Sequence, residues 1–404
     1  MTSQYDIIIA GGGLVGASLA AALRGQPLRV AVVEPVPIKS GNQPSYDSKG
    51  LALSLSSVQI LEHLGVWQEL AGEACPIRKI HVSDRGHFGF VRLSSQDLQI
   101  DALGQVVTAH SLGQVLTGLL EKAENIDYLC PAGISDVRIT YEQAHVTITT
   151  AGNEQTLSAA LLVAADGSNS GLRRQLGIPA TVKDYQQTAI VSSVTTQRPH
   201  MHTAYERFTE HGPIALLPLS NGRFSLVYTV PAADAGAVMK LGKDRFQELL
   251  WDRFGRRLGR FTEIGNINQY PLKLIESEQQ VMNRVVLLGN AAHTIHPNGA
   301  QGLNLCLRDT ASLAEHLVAA ISNGEDIGKL AFLETYAAVR QLDQKRVTQF
   351  SDRLAGWFYN SNPFKVVVRN SGMLITDLVP SIKRNFMRQA MGVSGRQPSM
   401  VRGI

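Results

Sequence analysis

The chain has 404 residues, 44% hydrophobic and 18% charged, and a formal net charge of +4. This suffices for two domains with packed cores, and the charge is too mild to suggest an obligate nucleic-acid binder; no helix-turn-helix, zinc-finger or stacked-aromatic pattern points to one either. The three cysteines, Cys75, Cys130 and Cys306, lack metal-ligand spacing and cannot all pair, and no apolar run approaches the roughly 18 residues of a membrane span.

In chain order, Asp6-Ile7-Ile8-Ile9-Ala10 is a continuous apolar run of the kind found in strands buried on both faces. Glycines follow it, and Leu14 to Leu23 predicts a close-packed helix ended by Gly25 to Pro27. Arg29 to Glu34 then predicts a second parallel strand, so the chain opens with a βαβ unit. A polar segment spans Gly41 to Ser48, and Leu53 to Leu70 has helical spacing. Ala160 to Ala165 predicts another buried strand, ended by Asp166-Gly167. Between about 185 and 270 the period becomes two, as in Phe224-Ser225-Leu226-Val227-Tyr228, and predicts an antiparallel sheet. Arg284 to Leu288 restores the parallel-strand pattern, and helical spacing dominates from about 305. The expectation is an α/β protein. A discontinuous Rossmann-like nucleotide domain (1–75, 100–182, 270–330) encloses an antiparallel-sheet substrate domain (76–99, 183–269). A helical region, 331–404, follows.

Gly11-Gly12-Gly13-Leu14-Val15-Gly16 contains G-x-G-x-x-G between a strand and a helix, with Glu34 ending the next strand. That context makes it a dinucleotide fingerprint. Gly11 allows the tight turn, Gly13 lets a pyrophosphate reach the backbone, and Gly16 lets helix and strand pack closely. Leu14 and Val15 open the helix whose N-terminus faces the phosphates. Glu34 would accept hydrogen bonds from ribose hydroxyls and repel a 2′-phosphate.

Two later segments indicate the cofactor. Ala165-Asp166-Gly167-Ser168-Asn169-Ser170-Gly171-Leu172-Arg173 resembles the "DG" segment of flavoprotein aromatic hydroxylases, and Gly289-Asn290-Ala291-Ala292-His293, followed by Pro297, Gly299, Gly302, Asn304 and Asp309, is similar to their "GD" segment. With the fingerprint, in this order, they cover most of the chain. Within that superfamily the chain most resembles the ubiquinone-biosynthesis hydroxylases, the 2-octaprenyl-6-methoxyphenol hydroxylases in particular. His81 to Gly86, Ala102 to Val107, Ala204-Tyr205-Glu206-Arg207-Phe208, Leu216 to Leu219 and Tyr270-Pro271-Leu272 carry that likeness. Three departures stand out. Asn290 replaces the "GD" Asp, Asp47-Ser48-Lys49 stands where relatives carry Arg, and Thr108-Ala109-His110 replaces a polar flavin contact.

The resemblance implies FAD, NAD(P)H as reductant, O₂ addition at flavin C4a, and transfer of OH from the flavin hydroperoxide to a polyprenylated methoxyphenol. It implies FAD contacts from Gly11, Gly13, Leu14, Val15, Gly16, Glu34, Lys49, Asp166, Gly289, Asn290, Pro297, Gly302, Leu303 and Asn304, with no metal and with the flavin carrying the chemistry. Asp166 also reads as a turn or helix-capping Asp. His293 and His296 read as loop hydrogen-bonders ahead of acid–base catalysts, and Tyr228, Trp67, Trp251 and Trp357 as core. A lipid-tailed substrate implies collection from a membrane or a partner protein, hence a cytoplasmic enzyme, peripheral at the inner face of the plasma membrane or within a ubiquinone-biosynthesis complex. Phe364, Val366, Val367, Val368, Met373, Leu374, Ile375, Leu378 and Val379 among late basic residues suit either an interfacial helix or an ordinary helix pair packed on the flavin domain. The alternatives to the whole reading are a hydroxylase of a soluble phenol and a redox-inactive FAD-binding scaffold.

Overall fold

The computed structural model describes residues 3–38, 49–358, 362–394 and 397–402. Its first sheet is built on the strand Ser3–Ala10, whose Ile7, Ile8 and Ile9 are fully buried. Ser3–Ala10 pairs in parallel with Val30–Val33 on one side and Asn153–Ala164 on the other. Val30–Val33 pairs in parallel with Ile126–Leu129, and Asn153–Ala164 with Val285–Leu287. The run is apolar throughout because both faces are covered. Ile7 and Ile9 pack toward the helices Leu14–Ala22, Ala109–Glu121 and Gln301–Ser322, whereas Ile8 and Ala10 face Ala144, Val146 and Ile148 of an antiparallel meander. Each buried Ile or Val among them contributes about 1.5–3 kcal/mol relative to leaving it exposed.

The second sheet runs, in spatial order, through His293–Thr294, Asn268–Ser277, Ala180–Thr196, Arg223–Pro231, Ile214–Pro218, Thr203–Phe208, Lys79–Asp84 and Phe90–Ser94. Its pairings are antiparallel, except that Thr203–Phe208 lies parallel to Lys79–Asp84. The period-two reading holds for these strands. It misses the helices Ala232–Met239 and Lys243–Phe254, which cover one face through Ala235, Val238, Phe246, Leu250 and Phe254. Tyr228 belongs to that core, 1% exposed against Phe246. A small third sheet joins Gly50–Ser54, Gly104–Thr108 and Cys75–Ile77. Residues 50–54 therefore extend, and the helix expected from Leu53 begins at Leu55, capped by Ser54.

After Gln301–Ser322 come the helices Leu330–Phe358, Pro363–Leu378 and Pro380–Ala390. Pro363–Leu378 is amphipathic in an inverted sense. Its buried side carries Asn370, Met373 and Asp377: Asn370 bonds Gly89 N–H and the Asp84 carboxylate, Met373 packs with Val91 and Leu93, and Asp377 takes Arg92 at 2.7 Å and Lys383 at 3.7 Å. Phe364, Val367, Val368, Ile375 and Leu378 face outward. Trp357, expected in the core, is also exposed, beside Arg369 at the end of the preceding helix.

Candidate functional site: a flavin cradle at the sheet edge

The three glycine-rich segments are far apart in sequence and adjacent in space, because each follows a neighbouring parallel strand at its carboxyl end. Gly11 N–H bonds Val33 O at 2.9 Å, Ala165 N–H bonds Ala10 O at 2.8 Å, and Leu288 N–H bonds Ala164 O at 2.9 Å. Glu34, Gly11, Asp166 and Gly289 therefore succeed one another along a single edge. Ligands of open α/β sheets bind at this edge.

The backbone explains the glycines. Gly11 has φ +104°, and a Cβ there would stand 2.5 Å from Ala165 O. A Cβ on Gly16 would collide with Gly11 O, so helix Leu14–Ala22 approaches the turn only because that position is bare. Gly289, at φ +66°, lies against Val15, where a Cβ would come within 2.9 Å of Cγ1. Gly13 differs: it begins the helix in extended conformation at φ −66°, with no side chain capping the first turn. Leu14 is buried in the core, with Val15 packed beside it. Glu34 is 5% exposed, its carboxylate accepting from Gly12 N–H and Val36 N–H, both at 2.8 Å.

The two carboxylate oxygens of Asp166 differ in their surroundings. Its Oδ2 accepts from Leu172 N–H at 3.1 Å, as a capping Asp does, while Oδ1 is buried with no partner among the described residues. Buried Arg173 joins the second segment to the third, donating to Ala291 O at 2.8 Å and Ser168 O at 3.3 Å. Asn290 and Pro297 are exposed at the edge. Lys49 lies over the Tyr270 ring, 5.2 Å from its centroid; Asp47 and Ser48 lie outside the described residues.

The third segment ends in the helix Gln301–Ser322. Gly299 and Ala300 both take left-handed conformations, φ +68° and +52°, and no side chain caps the helix. Its first N–H groups, including those of Gly302 and Leu303, form a positive dipole end suited to an electron-rich ligand edge. The Asn304 side chain is committed elsewhere. It donates to Ala52 O and Ala300 O and accepts from Ser54 N–H and Ser57 Oγ, so only its backbone can serve a ligand there. An apolar cavity of about 90 Å³ adjoins this end, with walls that include Leu53, Ile80, Leu93, Gly299 and Met387.

Neither loop histidine is placed as a free catalyst. His293 Nε2 lies 2.6 Å from Asp309 Oδ2, and Asp309 also takes Arg340 at 2.6 Å and Gln344 at 3.0 Å. Burial alone would raise the Asp309 carboxyl, but Arg340 and His293 overcome it and hold it at about 2. His296 is 1% exposed, packed edge-on to Tyr185, and pushed down to about 4 by burial, so it is neutral at pH 7. Cys75, His200 and His202 cluster elsewhere, but both His200 ring nitrogens are engaged, with Leu219 O and His202 N–H.

Two residues outside the expected set adjoin the third segment. Asn298 is 2% exposed, and both atoms of its amide lack partners among the described residues. Glu206, on the strand Thr203–Phe208, meets the backbone of Gly299. Asn298 lies inside the quoted segment and Glu206 inside the Ala204–Phe208 string, yet only the packing shows that they adjoin the cradle.

The uncapped helix start at Gly13, an orphaned carboxylate oxygen at Asp166 and the uncapped helix start at Gln301, on one edge, fit a flavin dinucleotide. The fold is that of flavin-dependent aromatic hydroxylases. It matches p-nitrophenol 4-monooxygenase PnpA from Pseudomonas putida DLL-E4 with a TM-score of 0.81, covering 98% of this chain and 100% of that one at 18% identity. The FAD binding domain family model matches residues 4–351. Ubiquinone hydroxylase UbiL of Rhodospirillum rubrum is 34% identical over 99% of this chain and 93% of its own length. The 3-demethoxyubiquinol 3-hydroxylase of Escherichia coli K12 is 30% identical over 97% of this chain and 100% of its own. The chain belongs to the FAD binding domain family and, within it, to the ubiquinone-biosynthesis hydroxylases: it is an FAD-dependent monooxygenase.

Proposed function

We propose that the protein hydroxylates the ring of a polyprenylated methoxyphenol in ubiquinone biosynthesis, with NAD(P)H as reductant and O₂ as co-substrate. The observation that carries this reading is the cradle itself, three cofactor-type segments on one sheet edge beside the second sheet. Bound FAD supplies electron transfer from NAD(P)H and oxygen activation at C4a. The protein supplies orientation and dryness. Segments 1–75, 100–182 and 270–330 hold FAD in this reading, 76–99 and 183–269 supply the substrate domain, and 331–404 is a helical region that follows them. Glu34 is assigned to the ribose, Lys49 to a pyrophosphate oxygen, Asp166 to flavin and pyridine-nucleotide handling, Asn290 to the ribityl chain, and the 297–304 turn to the flavin ring. Substrate-stimulated NAD(P)H oxidation tests the function. Its absence in FAD-loaded protein would leave a scaffold, and indifference to tail length would move the substrate to a soluble phenol.

Asn290 provides a local check. Its exposed amide is assigned to ribityl hydroxyls, so Asn290→Ala should weaken FAD by about 1–3 kcal/mol, the cost of an unmatched polar partner. An unchanged FAD titration would place the ribityl chain elsewhere.

A lipid tail has to be collected from a bilayer or from a carrier, and the inverted helix Pro363–Leu378 supports the bilayer. Leu378 and Phe364 are 67% and 76% exposed, where packing on the flavin domain would have hidden them. From 344 to 404 the chain has ten Lys and Arg against Asp352 and Asp377, and both acids are engaged, Asp352 by Lys183 and Asp377 by Arg92. Met387 and Met391 of the adjoining helical segment line the apolar cavity, so this surface borders the site. Each basic residue near an anionic surface is worth about 1 kcal/mol. Wild-type protein should co-sediment with anionic vesicles in preference to neutral ones, and Arg384→Glu/Arg388→Glu or Phe364→Ser/Leu378→Ser should lower the bound fraction. Equal sedimentation of all three proteins would remove the segment as an anchor and favour a partner protein of the biosynthetic complex.

A further inference from the structure

The second sheet presents one face to the flavin loop, and its register identifies the residues on that face. Val91 lies opposite Val82, Val82 opposite Glu206, Glu206 opposite Ala215, Ala215 opposite Val227, and Val227 opposite Val191. Directly opposed residues share a face, so a single row crosses six strands as Val, Val, Glu, Ala, Val, Val. Two residues before Glu206, Ala204 packs among Ile77, Ala52 and Leu217; two residues after it, Phe208 stacks on Phe358. The intervening Tyr205 turns to the opposite face, against Phe224 and Phe254. A carboxylate in this row does nothing for the sheet and carries a desolvation cost that valine would avoid.

What meets it is the cradle loop, through the Gly299 backbone. The next residue back, Asn298, brings to the same loop a buried amide with no partner among the described residues. The apolar cavity bounded by Ile80, Leu93 and Gly299 lies toward one side of the Glu206 position, and a smaller one bounded by Phe208, His296 and Asn298 toward the other.

We infer that Glu206 is a catalytic residue whose carboxylate receives the hydrogen bond, and then the proton, of the substrate's phenolic hydroxyl. The inference rests on the phenol-hydroxylase reading above. The phenol O–H bond breaks as a carboxyl O–H bond forms, with no change of oxidation state. The charge left on oxygen delocalises to the ring carbons ortho and para to it, which raises their nucleophilicity toward the oxygen delivered by the flavin. The hydrogen on the hydroxylated carbon then leaves as a proton, taken up by the oxygen that stays with the flavin; this restores aromaticity, and the carboxyl proton returns to the phenolate oxygen.

The surroundings suit this role. Burial raises the Glu206 carboxyl to about 7, with the nearby Gly299 backbone opposing the rise, so the carboxylate is a base matched to neutral pH. The charged groups on the elements around it have other partners. Asp84 is bonded by Arg369 and Asn370, and Asp352 by Lys183 and Tyr185. His296 is held neutral by burial, and Arg207 alternates onto the opposite face with Tyr205. The sign follows. Below about pH 7 the carboxyl keeps its own proton and cannot take another; above it, the base form predominates.

The test uses full-length, FAD-loaded protein with a short-tailed methoxyphenol, scoring product and NAD(P)H oxidation separately from pH 5.5 to 9. Wild-type product formation should rise through about pH 7. Glu206→Gln should keep FAD and continue to oxidise NAD(P)H, but lose product at least about 100-fold at pH 8 and lose the titration, releasing hydrogen peroxide instead. Glu206→Asp should restore a titration. A fluorinated phenol, acidic enough to ionise unaided, should restore product in Glu206→Gln. A Glu206→Gln enzyme with wild-type yield and pH profile would overturn the assignment, as would failure of the acidic phenol to rescue it. Absence of substrate-stimulated NAD(P)H oxidation in the wild type would overturn the phenol-hydroxylase reading instead.

Discussion

Gly13→Val protein should purify folded and colourless, without flavin. Gly13 sits at φ −66° and ψ −178°, a conformation open to any residue, so valine does not strain the backbone there. Its side chain would instead occupy the space through which a pyrophosphate reaches the first N–H groups of helix Leu14–Ala22. The expected loss of FAD affinity exceeds about 100-fold, or about 2.8 kcal/mol. Gly11 makes the contrast: at φ +104°, with Ala165 O 2.5 Å from the Cβ position, a side chain damages the turn along with the site. The measurement is flavin content after reconstitution, with circular dichroism reporting the fold. Stoichiometric FAD in Gly13→Val would mean that the pyrophosphate does not cross this turn.

The second large effect concerns the polar cluster that pins helix Leu330–Phe358 to helix Gln301–Ser322. Arg340 bonds Asp309 and Asp343, each at 2.6 Å, and Asp309 is fully buried. Replacing Arg340 with Met leaves that carboxylate in a nonpolar interior with His293 and Gln344 alone. Removing one partner of a buried ion pair costs about 3–5 kcal/mol. The pH dependence follows from Asp309, held at about 2 in the folded chain and about 3.9 when unfolded. A depressed carboxyl contributes stability above its unfolded value and loses it as pH falls toward the folded one. The gap in urea midpoint between wild type and Arg340→Met should therefore be large at pH 7 and shrink below about pH 4. Identical midpoints at pH 7 would show that the cluster is not a structural tie. Since His293 bonds Asp309 and precedes the 297–304 turn, weaker FAD retention should accompany the loss.

The sequence by itself determined the local chemistry. Period-one and period-two runs gave the parallel and antiparallel strands, because a strand covered on both faces has to be apolar throughout and a half-covered one has to alternate. The glycine fingerprint with Glu34 was legible for a similar reason: a bare turn beside a helix end requires glycine at fixed spacing. Tertiary structure decided what depends on who faces whom. Asp166 reads as a capping residue or a ligand contact, and only the packing left one carboxylate oxygen bonded to Leu172 N–H and the other buried without a partner among the described residues. Asn304 reads as a flavin-loop contact through its backbone N–H, and only the fold shows its side chain committed to Ser54, Ser57 and Ala52, about 250 residues away. The helix Pro363–Leu378 is amphipathic in sequence, but periodicity cannot say which side faces inward. Asp84 and Arg92 do, by binding Asn370 and Asp377 and turning the apolar side out. Glu206 looks like an ordinary strand carboxylate, since alternation permits a charge at every second position. Only the register across six strands sets it in an apolar row opposite the flavin loop.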